Sequence, residues 1–163
     1  MTLLQRKPAL LGLLVLSMLC AKQSGAQDSS FAALQQRGKM AMGVDQYESQ
    51  HQFDILSNGG RIALEMKGDD SLSVAQIRAH LKLIAHAFQA GDFSTPEFVH
   101  MRSMSGTDVM ARNKARILYS YADLPRGGEV RITTKDPRSL AAIHEFMSAQ
   151  RGDHKAHGMG DMK

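Results

Sequence analysis

Beyond residue 26 the sequence contains no cysteine, because the single one, Cys20, lies before that point. Disulfides, thiol catalysis and thiolate ligation are therefore closed to the remainder. Long apolar runs are missing as well. The one run, Ala9 to Leu19, has 11 residues, too few to span a bilayer. There is no Gly-x-Ser-x-Gly, no P-loop, no dinucleotide fingerprint and no His-Glu-x-x-His. No catalytic residue is assigned; a binding or interaction protein is expected first, and an enzyme of unknown reaction is the third reading.

What is present begins with an export signal. Arg6 and Lys7 form a charged n-region, Ala9–Leu19 an h-region, and Ser24-Gly25-Ala26 puts small residues at a cleavage site. Cys20 does not read as a lipidation site, since bulky Leu19 precedes it. The expectation is a signal peptide over 1–26, cleavage near Ala26, a periplasmic location, and no membrane span in the mature chain. Removing Arg6, Lys7 and Lys22 lowers Lys+Arg from 20 to 17 against 16 Asp+Glu, a net charge of +1. The positive charge belongs largely to the leader, so nucleic acid is not an expected partner.

Two similar units follow, 51–91 and 115–150. In the first, His51, Phe53 and Ile55 alternate with Gln52 and Asp54, which reads as a half-buried strand. Asn58-Gly59-Gly60 marks a hairpin turn. Ile62, Leu64 and Met66 then alternate with Arg61, Glu65 and Lys67. After Asp69-Asp70, with Ser71 or Ser73 as a cap, Val74, Ile77, Leu81, Ile84 and Phe88 make one helical stripe that ends at Gly91. The second unit repeats the plan. Ile117, Tyr119 and Tyr121 lead into a turn at 124–128, then Val130, Ile132 and Thr134. Asp136 is an N-cap, Pro137 sits at N1, and Leu140, Ile143 and Met147 form a stripe. Matching Ala75-Gln76-Ile77 to Ala141-Ala142-Ile143 aligns the helices. The expected fold is α+β, ββαββα: a four-stranded, mainly antiparallel sheet with two helices on one face. A short N-terminal helix and loop fill 27–50. Gly91–Pro96 reads as a turn, Phe98–Met101 as a short extended piece, and 109–114 as a lead into the third strand. The polar, glycine-rich stretch 151–163 reads as a disordered His/Met tail.

The runs 37–46, His51-Gln52-Phe53 with Gly59-Gly60, Gln76–Leu81, Gly91–Pro96 and Ala142–Phe146 resemble a family of small exported bacterial proteins of unknown function. Some of its members carry an aspartate carbamoyltransferase label. A transcarbamylase is a much longer chain with a Ser-Thr-Arg-Thr phosphate loop and a His-Pro-x-Gln element. Neither is present, so that label has no residues to rest on here.

The unusual content is seven histidines and, after residue 26, nine methionines. In a thiol-free exported chain, imidazole plus thioether suits copper, Cu(I) above all. Two candidate metal sites follow. One is the tail, with His154, His157, Met159 and Met162. The other is in the domain, with His51, His80 and His144. His80 and His144 lie about 80° and 70° from the centres of their helical stripes, while His86 lies nearly opposite its own and should be solvated. His100, beside Met101 and Met104, is able to join either site. The leading expectation is an accessory protein of the periplasm binding copper or another soft metal. The alternative is an interaction module for another envelope protein, engaged through the sheet.

Overall fold

A computed structural model describes residues 29–155. The chain divides into two compact units, Met1–Ala33 and Leu34–Lys163. Of the first, only the opening turns of a helix, α1 (residues 29–42), are described, and the rest of this section concerns the second. The elements after α1 are β1 (Ser49–Leu56), β2 (Gly59–Met66), α2 (Ser71–Ala90), α3 (Ser94–His100), α4 (Thr107–Arg112), a 3₁₀ turn (Lys114–Arg116), β3 (Ile117–Leu124), β4 (Gly127–Thr134) and α5 (Pro137–His154). The strands form one sheet in the order β1-β2-β4-β3, with all three pairings antiparallel. This is the ββαββα α+β plan. Among the described residues no helix is long and apolar enough to cross a membrane.

The hairpins turn on two residues each. Leu56 pairs with Gly59 across Ser57-Asn58, and Leu124 with Gly127 across Pro125-Arg126. Each Gly-Gly pair thus opens the return strand rather than forming the turn. The reason is close approach between the two central strands. A Cβ on Gly59 would lie 1.8 Å from the Ile132 carbonyl oxygen, and one on Gly127 would lie 1.9 Å from that of Leu64.

The register carries a two-fold relation. Ser49 pairs with Met66 and Ile117 with Thr134, so both members shift by 68 (117 against 49, 134 against 66). The central pairing obeys the same shift: Gly59 faces Thr133 while Gly127 faces Glu65. Ile62 faces Val130, its own equivalent, which puts the two-fold axis between them. The helices cross over. α2 packs mainly on β3 and β4, whereas α5 packs on β1 and β2. Each unit therefore supplies the lid of the other, and neither closes a core alone.

Helix ends follow from local chemistry. Asp70, rather than Ser71 or Ser73, caps α2, its side chain accepting from the Leu72 and Ser73 amides. Asp136 caps α5 by accepting from Ser139 N, with Pro137 in the first turn. α2 ends at Gly91 in the left-handed region. The core joins the helix stripes to the inner sheet face. Ile77, Ile143, Phe146, Met147, Ile117, Val130 and Ile132 are fully buried. Phe88 stacks on Phe93 at 4.5 Å, and both meet Phe146 edge-on. On the opposite face Arg61 lies between Asp54 and Glu129, and Arg131 donates to Glu129 at 2.9 Å. Burial acts to raise the Glu129 carboxyl, but the hydrogen bonds and charges of Arg61 and Arg131 outweigh it and hold it low.

Four expectations need correction. The stretch expected to be a turn and an extended piece is helix α3, with Pro96 inside its first turn and buried against the domain. The lead into β3 is helix α4, whose Met110 is fully buried. The burial expected for β1 fails at its end: Ile55, which shares the parity of Phe53, is 41% exposed, while Asp54, on the opposite face and paired with Arg61, is 2% exposed. The helix α5 continues through His154, so the segment expected to be a free tail from 151 begins as structured chain.

Candidate functional site

A cavity of about 80 Å³ opens beside the edge strand β1. Its walls come from the end of α1 (Met42) and the following loop (Gln46), from β1 (His51, Phe53), α2 (His80, Leu81, Ile84), α3 (Val99, His100) and α5 (Phe146, Gln150, His154). The lining is predominantly aliphatic and aromatic, with four imidazoles, two carboxamides and the Thr95 hydroxyl as its polar groups. That combination is typical of small-ligand sites.

The imidazoles touch one another. His51 reaches the cavity because its parity on β1 is that of Phe53, and the two rings stack at 5.9 Å. His154 is delivered by the last turn of α5. It stacks on His51 at 5.0 Å with 22° between ring planes, and meets His100 edge-on at 5.1 Å. The Nε2 of His100 is 2.9 Å from Gln150 Oε1, and its Nδ1 is 2.7 Å from Asp153 Oδ2, off the direction of a hydrogen bond. Asp153 also accepts from Arg102 at 2.6 Å. Arg151 donates to the Phe53 carbonyl at 2.7 Å, tying the same turn to β1. Three of the cavity's polar atoms have no hydrogen-bond partner among the described residues: His154 Nδ1, Gln46 Oε1 and His100 Nδ1, the last facing the Asp153 carboxylate. Buried polar atoms left open in this way usually answer to water or a ligand.

Burial sets the protonation states. Desolvation, helped by the nearby His80, pushes His51 down to about 4. His154 is pushed further, by burial first and then by His51 and His100. Burial lowers His80 against a hydrogen bond to the Ala41 backbone that works the other way. Burial also lowers His100, against the opposing pull of Gln150 and Asp153. Burial thus favours the neutral form in all four rings, most strongly in His51 and His154.

The two-fold relation shows that packing alone does not ask for histidine here. With the helices aligned through Ile77 and Ile143, Phe88 corresponds to His154 (154 against 88, 143 against 77), and by the sheet shift Tyr119 corresponds to His51. Phe88 and Tyr119 meet at 5.9 Å in their half, just as His154 and His51 meet in the other. One half fills these two positions with carbocyclic rings and the other with imidazoles.

The two sites expected from sequence merge. His51 and His80 line the cavity, and so does His154, which was assigned to the tail. His157, Met159 and Met162 lie outside the described residues. His144 is elsewhere: its Nε2 is 2.9 Å from the Leu56 carbonyl oxygen, and it does not line the cavity. His100 takes its place, and Met42 brings a thioether to the same wall. Gln46, Gln150 and Asp153 were missed. The signal for one of them, Gln150, was present, since Ile143, Met147, Gln150 and His154 repeat the 4-3-4 spacing of Ile77, Leu81, Ile84 and Phe88. Among the described residues no three His, Asp or Glu side chains are placed to hold a metal ion together. Compared with family models, curated proteins and solved structures, the chain finds no match.

Proposed function

We propose that the chain is an exported accessory protein of the periplasm that binds a small soft ligand, Cu(I) in the first instance, in the imidazole-lined cavity. The observation that carries this reading is the gathering of four imidazoles, all pushed toward the neutral form, and Met42 around one cavity in a chain without mature thiols. Imidazole ligates only when deprotonated, and burial preserves that state well into the acid range. Thioether and imidazole are donors that Cu(I) accepts, and a low-coordinate Cu(I) does not require the three-ligand convergence that zinc sites use. The His51 and His154 rings lie nearly parallel, so loading requires one of them to turn its nitrogen toward the ion.

The test has two parts. Protein purified from the periplasm is assayed for metal by mass spectrometry, and the mature chain is titrated anaerobically with Cu(I) under a competing chelator. Wild type should compete, while His51→Ala with His154→Ala should not. Equal competition by both would remove the cavity from the reading. A chain truncated after Lys155 isolates any share held by His157, Met159 and Met162.

A second reading is an envelope interaction module, engaged through an edge strand. Its support is β3, which lies at the sheet edge and presents Leu118 at 69% exposure. Retention of an envelope partner by the cavity variant, and its loss in Leu118→Lys, would favour this alternative.

A further inference from the structure

We infer that the last turn of α5, residues 151–154, is the door of the cavity, opening by local unwinding that carries His154 outward while the rest of the helix stays packed. This rests on reading the cavity as a binding site, and it concerns how that site is reached.

The anchoring of α5 changes along its length. Ile143, Phe146 and Met147 are fully buried and fix the helix to the sheet. Past Gln150 the helix is held by polar contacts and by one packed ring, that of His154, which meets His51, Phe53 and His100. Arg151 donates to the Phe53 carbonyl, and Asp153 meets Arg102 and His100. The ring of His154 is the one side chain of this turn that lines the cavity. Unwinding it uncovers the rings of His51 and Phe53 and breaks polar contacts that water can replace.

The turn is also weak as a helix. Gly152 sits inside it, and glycine is among the poorest residues for a helix interior. No atom lies within 4 Å of a Cβ built there, so packing does not demand the glycine. Lys155 ends the helix at φ 49, a left-handed conformation that a side-chain-bearing residue adopts at a cost. Three of the other walls offer no such element. β1 is hydrogen-bonded to β2 along its full length, and α2 is sealed by Ile77, Leu81, Ile84 and Phe88. α3 is tied down by Arg37, which donates to the Val99 carbonyl at 2.7 Å.

Two substitutions in the full mature chain move the door in opposite directions. Gly152→Ala should favour the closed turn, and Asp153→Asn should favour the open one by weakening both ion-pair contacts at the same size. Two readouts are needed, and neither uses a metal. Amide exchange compares residues 152–155 with 143–147. Labelling by diethyl pyrocarbonate, read residue by residue, reports access to His51 and His154, with exposed His86 as internal control. Gly152→Ala should slow exchange in the last turn and labelling of His51 together, by about fivefold, and Asp153→Asn should speed both, with His86 unchanged. If His51 labels at one rate in all three proteins, the turn is not the door. If the last turn exchanges in step with Phe146 and Met147, it is not a separate opening unit, and the inference also fails. A protein that ignores Cu(I) but shows the expected labelling order would overturn the proposed ligand and leave the door standing.

Discussion

His144 and Leu56 are joined by a contact of 2.9 Å between an imidazole Nε2 and a carbonyl oxygen. The bond has a counterpart in the other half, where Arg78 donates to the Leu124 carbonyl at 2.8 Å. Leu124 is the sheet equivalent of Leu56, and Arg78 is the helix equivalent of His144 (124 against 56, 144 against 78). Both bonds pin a helix to the last residue before a hairpin turn. His144 is thus a fastening, and its role can be filled by a side chain that ligates no metal.

The first prediction follows from that equivalence. His144→Ala should lower stability by about 1 kcal/mol, the worth of an ordinary hydrogen bond. His144→Arg should recover most of it by copying Arg78. Urea midpoints of the three proteins decide the matter, and Cu(I) competition should be equal in all of them. A loss of copper binding in His144→Arg would return His144 to the ligand set.

These residues show what a single sequence discloses. Strand parity and helix periodicity placed His51 on the inner face and Leu81 at the centre of its stripe, because burial follows the two periods directly. They did not separate His80 from His144, which sit at similar angles on equivalent helices. The difference arises from which hairpin each helix covers, and that crossing is a tertiary fact. The end of α5 was lost for another reason. Gly152 and the polar run after Gln150 read as a tail, while the bonds from Arg151 to Phe53 and from Asp153 to Arg102 span 98 and 51 residues of chain and leave no local mark. The helices α3 and α4 were hidden by brevity, since six or seven residues give too few turns for a period to show.

The second prediction tests the helix phase. Leu81 is buried within the α2 stripe, and His86 on the same helix is exposed. Leu81→Ala should cost about 2–5 kcal/mol and His86→Ala less than about 0.5. Denaturation in urea reads both. Equal midpoints would mean that α2 presents a different face to the sheet.

The third concerns export. An n-region, a short h-region and Ser24-Gly25-Ala26 predict cleavage near Ala26. Intact-mass measurement of the periplasmic protein should place its N-terminus near Gln27. Recovery of the chain with Met1 in place, or with a lipid on Cys20, would contradict this.

The last prediction concerns acid. Above about pH 6.5 an imidazole is neutral in both the folded and the unfolded chain, and its burial gives stability no pH dependence. Below that, the unfolded chain takes up protons that the folded one refuses, because His51 is held near 4 and His154 lower still. Stability therefore falls with pH, by about 1.4 kcal/mol per unit for each imidazole kept neutral, until its folded pKa is reached. His80 and His100, both lowered, act in the same direction. The lowered carboxyls of Asp45, Asp70, Asp92, Asp123, Asp136 and Glu129 also lose their contribution in acid, but only as the pH approaches about 4. The window from about pH 6.5 to 4.5 thus isolates the histidines. Copying the other half into this one, with His51→Tyr and His154→Phe together, should leave stability near neutrality about unchanged and remove two imidazoles' share of the slope. Urea unfolding of the wild type and the double variant at about pH 7, 6 and 5 measures this. Parallel curves for the two proteins would mean that His51 and His154 take up protons in the folded state, and that the cavity does not keep them as neutral ligands.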